Sequence, residues 1–153
     1  MAQITDLYIY PVKSLKGIAL KEAQTARRGL EFDREWMITD NNYNFISQRE
    51  IELMPTIQTD IDSSSLVLTS ADQKVLKIPL HSKREVKVRA KVWDDFCNAF
   101  DEGDEASSWL TEVLGMFNQG PLRLVRFDYN AERQVPKKYL DGAHAESAFS
   151  DQF

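Results

Sequence analysis

The sequence has little of what would hold a disulfide or a metal. Cys97 is the only cysteine among 153 residues, which excludes an intrachain disulfide and a thiolate cluster within one chain. Two histidines without a cysteine cluster do not make a transition-metal site. No apolar run approaches the roughly 20 residues needed to span a bilayer, and Met1-Ala2-Gln3-Ile4-Thr5-Asp6 lacks the basic, apolar, small-residue order of a secretion signal. A basic excess is missing too: the formal net charge is −5, which argues against a general nucleic-acid or anionic-membrane surface. A reducing, cytoplasmic setting is expected, with neither nucleic acid nor membrane as partner.

The charge is uneven, however. Residues 1–50 carry seven Lys/Arg and seven Asp/Glu, whereas residues 51–153 carry twelve against seventeen and account for the whole imbalance. A local anion site in the first third is therefore compatible with an acidic whole. With 42% hydrophobic and 28% charged residues, the chain suits one ordinary globular domain that closes a core without staples.

What is present is strand after strand. Leu7 and Ile9 alternate with polar and aromatic neighbours in the period-two pattern of a half-buried strand, until Pro11 forces the chain to leave the sheet or bulge. Ile18 to Thr25 reads as a second strand, and Arg27-Arg28-Gly29 as a turn. Glu35 to Thr39, Asp40-Asn41-Asn42 and Tyr43 to Ile46 read as a β-hairpin. Ile51 to Met54 is expected to form one helical turn ended by Pro55. Short strands follow over 56–61, 66–69, 75–79 and 84–93; in the last, Val86, Val88, Ala90 and Val92 face one way and Lys87, Arg89 and Lys91 the other.

The period changes once. Asp101-Glu102-Gly103-Asp104-Glu105 precedes Ala106, Trp109, Leu110, Val113 and Leu114 at helical spacing, with acids favouring the helix dipole and Gly115 as the stop. The pattern predicts a mainly β, antiparallel barrel-like domain with one amphipathic α-helix over about 104–114. Leu122 to Phe127 returns to strand, and residues 128–153 show no buried face, so a loosely ordered C-terminal tail is expected.

Two stretches carry candidate chemistry. Tyr10-Pro11-Val12-Lys13-Ser14-Leu15-Lys16-Gly17 breaks a strand with a turn bearing cations and a hydroxyl, and Asp33-Arg34-Glu35-Trp36 sets an arginine before an apolar strand. A phosphate needs cations and hydrogen-bond donors on rigid supports, and arginine offers a planar fork that suits it. These motifs, with Ser47-Gln48-Arg49-Glu50, Met54-Pro55, Trp93-Asp94 and Leu122-Arg123-Leu124-Val125, resemble the N-terminal β-barrel domain of MOSC proteins. Those are the molybdenum-cofactor-sulfurase C-terminal-like proteins, including amidoxime-reducing enzymes. By that resemblance residues 1–127 are the barrel and 128–153 the opening of the MOSC domain.

The resemblance implies a pterin-linked molybdenum cofactor held between barrel and MOSC domain, with Lys13, Ser14 and Arg34 on its phosphate and pterin. Arg49 is assigned to the same site, with pinning of the Ser47–Glu50 turn as the alternative. The metal ligand would be a cysteine deep in the MOSC domain, to which Cys97 does not correspond. No catalytic or metal-binding residue is therefore assigned in this chain. It is expected to be inert alone and to depend on a missing C-terminal domain or a separate chain. The complete protein would support reduction of N-hydroxylated compounds or sulfur transfer. The alternatives are a stand-alone barrel module binding another small anionic ligand, or a partner protein.

Plainer roles are weighed beside these. Lys16 reads as a surface residue, and Arg34 could instead pair with Asp33 or Glu35. Trp36, Trp93 and Trp109 read as core, the acids at 101–105 as helix capping rather than a cation site, and Cys97 as an inert packed thiol.

Overall fold

In the computed structural model, which describes residues 1–135, 140 and 142–149, short antiparallel strands dominate. They are β1 (Leu7–Ile9), β2 (Ile18–Leu20), β3 (Thr25–Ala26), β4 (Gly29–Leu30), β5 (Trp36–Thr39), β6 (Gln58–Ile61), β7 (Ser65–Thr69), β8 (Val75–Pro79), β9 (Lys87–Val92) and β10 (Asp95–Asp101). Helix α1 (Asp104–Leu114) and β11 (Arg123–Phe127) follow. The central sheet has the order β5-β11-β10-β9; β6-β7-β8 form a second sheet, and β1-β2 and β3-β4 pair as ribbons. Among the described residues no helix is long and apolar enough to cross a membrane.

Residues 43–45 draw the edges of the central sheet together. Lys91 donates its N–H to the Tyr43 carbonyl (2.9 Å), Phe45 donates to that of Lys91 (2.9 Å), and Ile46 donates to that of Ile38 (3.1 Å). The result is a barrel-like shell stitched by bridges rather than one continuous closed ladder.

β5 is buried on both faces because its side chains alternate between two cores. Trp36 and Ile38 point into the larger one, with Leu66, Leu68, Trp109, Leu110 and Leu124 from the second sheet, α1 and β11. Met37 points into the smaller, with Ala90, Val92, Ala99, Val125 and Phe127. Helix α1 has the expected bounds: Asp104 and Glu105 occupy its first turn, and Gly115, at φ 88°, ends it with its N–H on the Thr111 carbonyl.

Several expectations change. Residues 95–101, which the sequence presented only as an approach to the helix, form β10. Its inward residues Cys97 and Ala99 are small, and acids stand at both ends, so the apolar alternation is faint. Those acids are paired: Asp101 takes a two-point contact from Arg123 at 2.7 Å, and Asp95 meets Arg133 at 2.9 Å. The helical turn is a 3-10 segment at Met54–Thr56 that contains Pro55, a residue tolerated where no N–H is needed. β9 is shorter than 84–93, and Val86 is exposed rather than inward. The region after 127 includes an anchored stretch. Ser147 and Val135 form backbone bonds across it (2.9 and 3.0 Å), and Phe149, fully buried, meets Phe127 edge-on at 5.4 Å. Aromatic rings scattered through a polar segment give no periodicity to read. Residues 136–139, 141 and 150–153 lie outside the described residues.

Burial pushes the Cys97 thiol up to about 11. Only the thiolate reacts readily, so Cys97 should resist iodoacetamide at pH 8 in the folded protein and alkylate fully in urea. Rapid native-state labelling would contradict its packed position.

Candidate functional site

The edge of β5 that does not pair with β11 organises the pocket. Arg34 donates its N–H to the Tyr10 carbonyl (2.8 Å), Trp36 donates to that of Pro11 (3.0 Å), and Lys13 donates to that of Trp36 (2.9 Å). Pro11 serves here as an acceptor only, so its missing N–H costs nothing. The chain then reverses in a turn closed by the Leu15 N–H on the Val12 carbonyl (3.1 Å), with Ser14 at φ 69°. Gly17 lets the Tyr10 ring lie against this turn, since a Cβ there would stand 2.7 Å from a ring carbon.

The turn faces residues 45–49 and the β9–β10 hairpin tip. Together they enclose about 240 Å³ lined by Lys13, Ser14, Arg34, Arg49, Tyr10, Leu15, Phe45, Ser47, Gln48 and Trp93. All four residues singled out from the sequence therefore line one cavity. Lys16 is exposed and does not line it. Arg34 sits in the turn before β5 rather than on a strand.

Three cations line this pocket, and among the described residues no carboxylate does. Two nearby acids, Asp33 and Glu50, brace the loops that build it. Asp33 accepts the Tyr10 N–H at 2.8 Å and the Arg34 guanidinium at 2.5 Å, so the alternative ion pair for Arg34 is real and also fixes its direction. The same guanidinium lies 4.8 Å from the Tyr10 ring centroid. Glu50 turns back onto Ser47, accepting from its N–H at 2.7 Å and from its hydroxyl, and the hydroxyl bond holds the carboxyl below its usual range. Arg49 donates its N–H to Ser47 Oγ at 3.2 Å. It thus both braces the turn and borders the pocket.

Lys13 is only 4% exposed, and its ammonium lies 5.1 Å from the Phe45 centroid and 5.6 Å from that of Trp93. Aromatic faces stabilise a cation that has left water. Trp93 corrects a sequence expectation: it is not core but 36% exposed, edge-on to Phe45 at 5.3 Å, and forms the pocket's aromatic wall. Tryptophan composition cannot reveal this, because its φ of 55° takes it out of the strand alternation. Trp36 and Trp109 are core; of the 101–105 acids, Asp104 and Glu105 stand in the first helical turn as expected, but no side chain caps the helix, and Asp101 and Glu102 instead accept from Arg123 and Trp36.

Behind the pocket lies Glu35, read from its sequence context only as a pairing option for Arg34. Glu35 is buried beside a cavity of about 40 Å³, and neither carboxylate oxygen has a hydrogen-bond partner among the described residues. Arg126 approaches it at 3.5 Å while lying over Trp36 at 4.4 Å, and Trp36 donates its indole N–H to Glu102 at 2.8 Å. Burial raises the Glu35 carboxyl to about 7, partly offset by Arg84 and Arg28.

Fold and site together define a barrel-like β domain that presents a loop-built, cationic, aromatic-walled pocket at a strand edge. The chain belongs to the MOSC N-terminal beta barrel domain family, whose match covers residues 1–117. It is 29% identical to human molybdenum cofactor sulfurase over 140 residues, covering 89% of this chain and 15% of that protein. It is 28% identical to human mitochondrial amidoxime-reducing component 1 over 143 residues, covering 90% of this chain and 42% of that protein. The chain thus spans less than half the length of these relatives. A solution structure from Bordetella bronchiseptica shares the fold at 18% identity, with a TM-score of 0.52 over 71% of this chain and 90% of that one.

Proposed function

We propose that this chain supplies one wall of a molybdenum-cofactor site, with Lys13, Ser14, Arg34 and Arg49 receiving the anionic phosphate and pterin end. The observation that carries the proposal is the convergence of three cations and a serine hydroxyl on one pocket. Supporting it, Ser14, Arg34 and Trp93 of the pocket lining hold left-handed backbone at φ 69°, 49° and 55°. Such conformations cost about 1–3 kcal/mol each in L-residues and collect where a site requires them.

The residues present fit part of such a group. A pocket of about 240 Å³ is smaller than the roughly 300–1,000 Å³ that encloses a whole small molecule. It therefore suits an anionic end whose remainder is covered by another domain or chain. Arg34, oriented by Asp33, offers a planar fork to phosphate oxygens; Lys13 offers a point charge already withdrawn from water; Ser14 offers a hydroxyl. The bound cofactor would supply the redox or sulfur-transfer centre, and what this chain contributes is binding and orientation. The complete protein would then reduce N-hydroxylated compounds or transfer sulfur, with residues 128–153 opening the domain that bears the metal ligand. A lone, buried, unpaired thiol is compatible with a cytoplasmic setting.

A titration of isotopically labelled protein with phenyl phosphate tests the anion site directly. Backbone amides of Lys13–Gly17, Arg34 and Arg49 should shift together and saturate. Silence at 13–17 and 34 would remove the basis for any anion site here.

A further inference from the structure

The outer face of β9 is not used by the pocket. Lys87, Arg89 and Lys91 share that face with Phe96 and Phe100 of β10, which stand opposite Lys91 and Lys87 in the ladder. Arg89 lies 5.3 Å and Lys91 5.8 Å from the Phe96 centroid, and Lys87 lies 5.4 Å from that of Phe100. Lys87 also reaches Asp128 at 3.5 Å, whereas Arg89 and Lys91 meet no carboxylate among the described residues. Phe96 is 57% exposed. In a chain with more acids than bases, this is a local reversal of sign.

The backbone of the same strand is open. The two-residue hairpin turn sets Val92 opposite Asp95, so Val92, Ala90 and Val88 direct their N–H and C=O groups to β10 and the alternate residues direct theirs outward. Lys91 illustrates this, since its N–H and C=O both bond residues 43–45. Beyond it, the outward groups of Arg89 and Lys87 meet no partner among the described residues.

We propose that the β9 edge at Lys87–Arg89 docks an extended acidic segment of a partner protein, which adds as a strand continuing the line of residues 43–45 and sets carboxylates over Lys87, Arg89 and Lys91. Main-chain pairing requires a polypeptide, because nucleic acid and lipid lack the matching N–H and C=O row. From Lys87 to Lys91 the strand runs about 14 Å at ~3.4 Å per residue, the scale of a short acidic stretch rather than a long polyanion. A second copy of this strand is a poor occupant, since pairing would set like charges opposite one another. The proposal is independent of the pocket.

The probe is a capped octapeptide of alternating glutamate and valine added to labelled protein. The Arg89 and Lys87 amides should shift and gain protection from hydrogen exchange, while those of Lys13 and Arg34 stay unchanged. In an R89E/K91E variant, affinity should fall by about tenfold or more, and high salt should weaken binding to the unaltered protein. R89P removes an outward N–H without touching the β10 ladder and should abolish protection, with β10 and β11 amides as controls for folding. Both substitutions fall at exposed or half-exposed positions, so R89E/K91E keeps the test decisive if R89P does not fold. Absence of shifts at 87 and 89 would overturn the proposal. So would equal binding of an alternating lysine–valine peptide, or tighter binding of oligothymidylate to this face.

Discussion

Arg34→Gly is expected to weaken phenyl phosphate binding by about 10- to 100-fold while leaving the domain folded. A charge-assisted hydrogen bond contributes about 1.5–3 kcal/mol, and each 1.4 kcal/mol is a tenfold change in affinity. Glycine suits this position because Arg34 holds φ 49°, so the substitution relieves backbone strain as it removes the guanidinium. Asp33 retains the Tyr10 N–H as a partner, so the loop keeps its tie. Lys13→Met should give a comparable loss, since methionine keeps an apolar stem between Phe45 and Trp93 and removes the ammonium. Calorimetric titration with urea unfolding on the same samples separates the outcomes. Unchanged affinity in both folded variants would show that the cations brace loops and do not bind.

Stability should fall as pH rises through the range in which Glu35 loses its proton. Its carboxyl is raised from 4.5 to about 7 in the folded state, so between those values the folded protein holds a proton that the unfolded chain has released. The contribution is fully present below about 4.5 and is lost as pH approaches and passes about 7. Two and a half units correspond to about 3 kcal/mol at most. E35Q removes the titrating group at nearly constant shape, and should gain on the parent at pH 8 relative to pH 5. Other carboxyls titrate in both proteins, among them Glu102, also raised by burial, and Glu50, lowered by Ser47. The difference between variant and parent therefore isolates Glu35. Parallel urea-stability curves across pH 5 to 8 would mean that Glu35 is ionised throughout and held by Arg126.

Local chemistry was legible wherever a residue's meaning did not depend on distant neighbours. The helix over 104–114 follows from apolar spacing and glycine punctuation, and the donors of the first turn follow from proline, lysine and serine in succession. β10 was not legible, because its inward positions are small and its ends acidic, pairings that only Arg123 and Arg133 explain.

The family and the four pocket residues came from motif order in the sequence. That these residues share one cavity was decided by the β5 edge, which seats residues 10–13 and 45–46 side by side through backbone bonds. Folding also turned Trp93 from a packing residue into a wall and buried Glu35 with no hydrogen-bond partner among the described residues. The physical reason is common to both: side-chain identity fixes what a group can donate or accept, but desolvation and strand pairing, set by residues far along the chain, decide which groups meet.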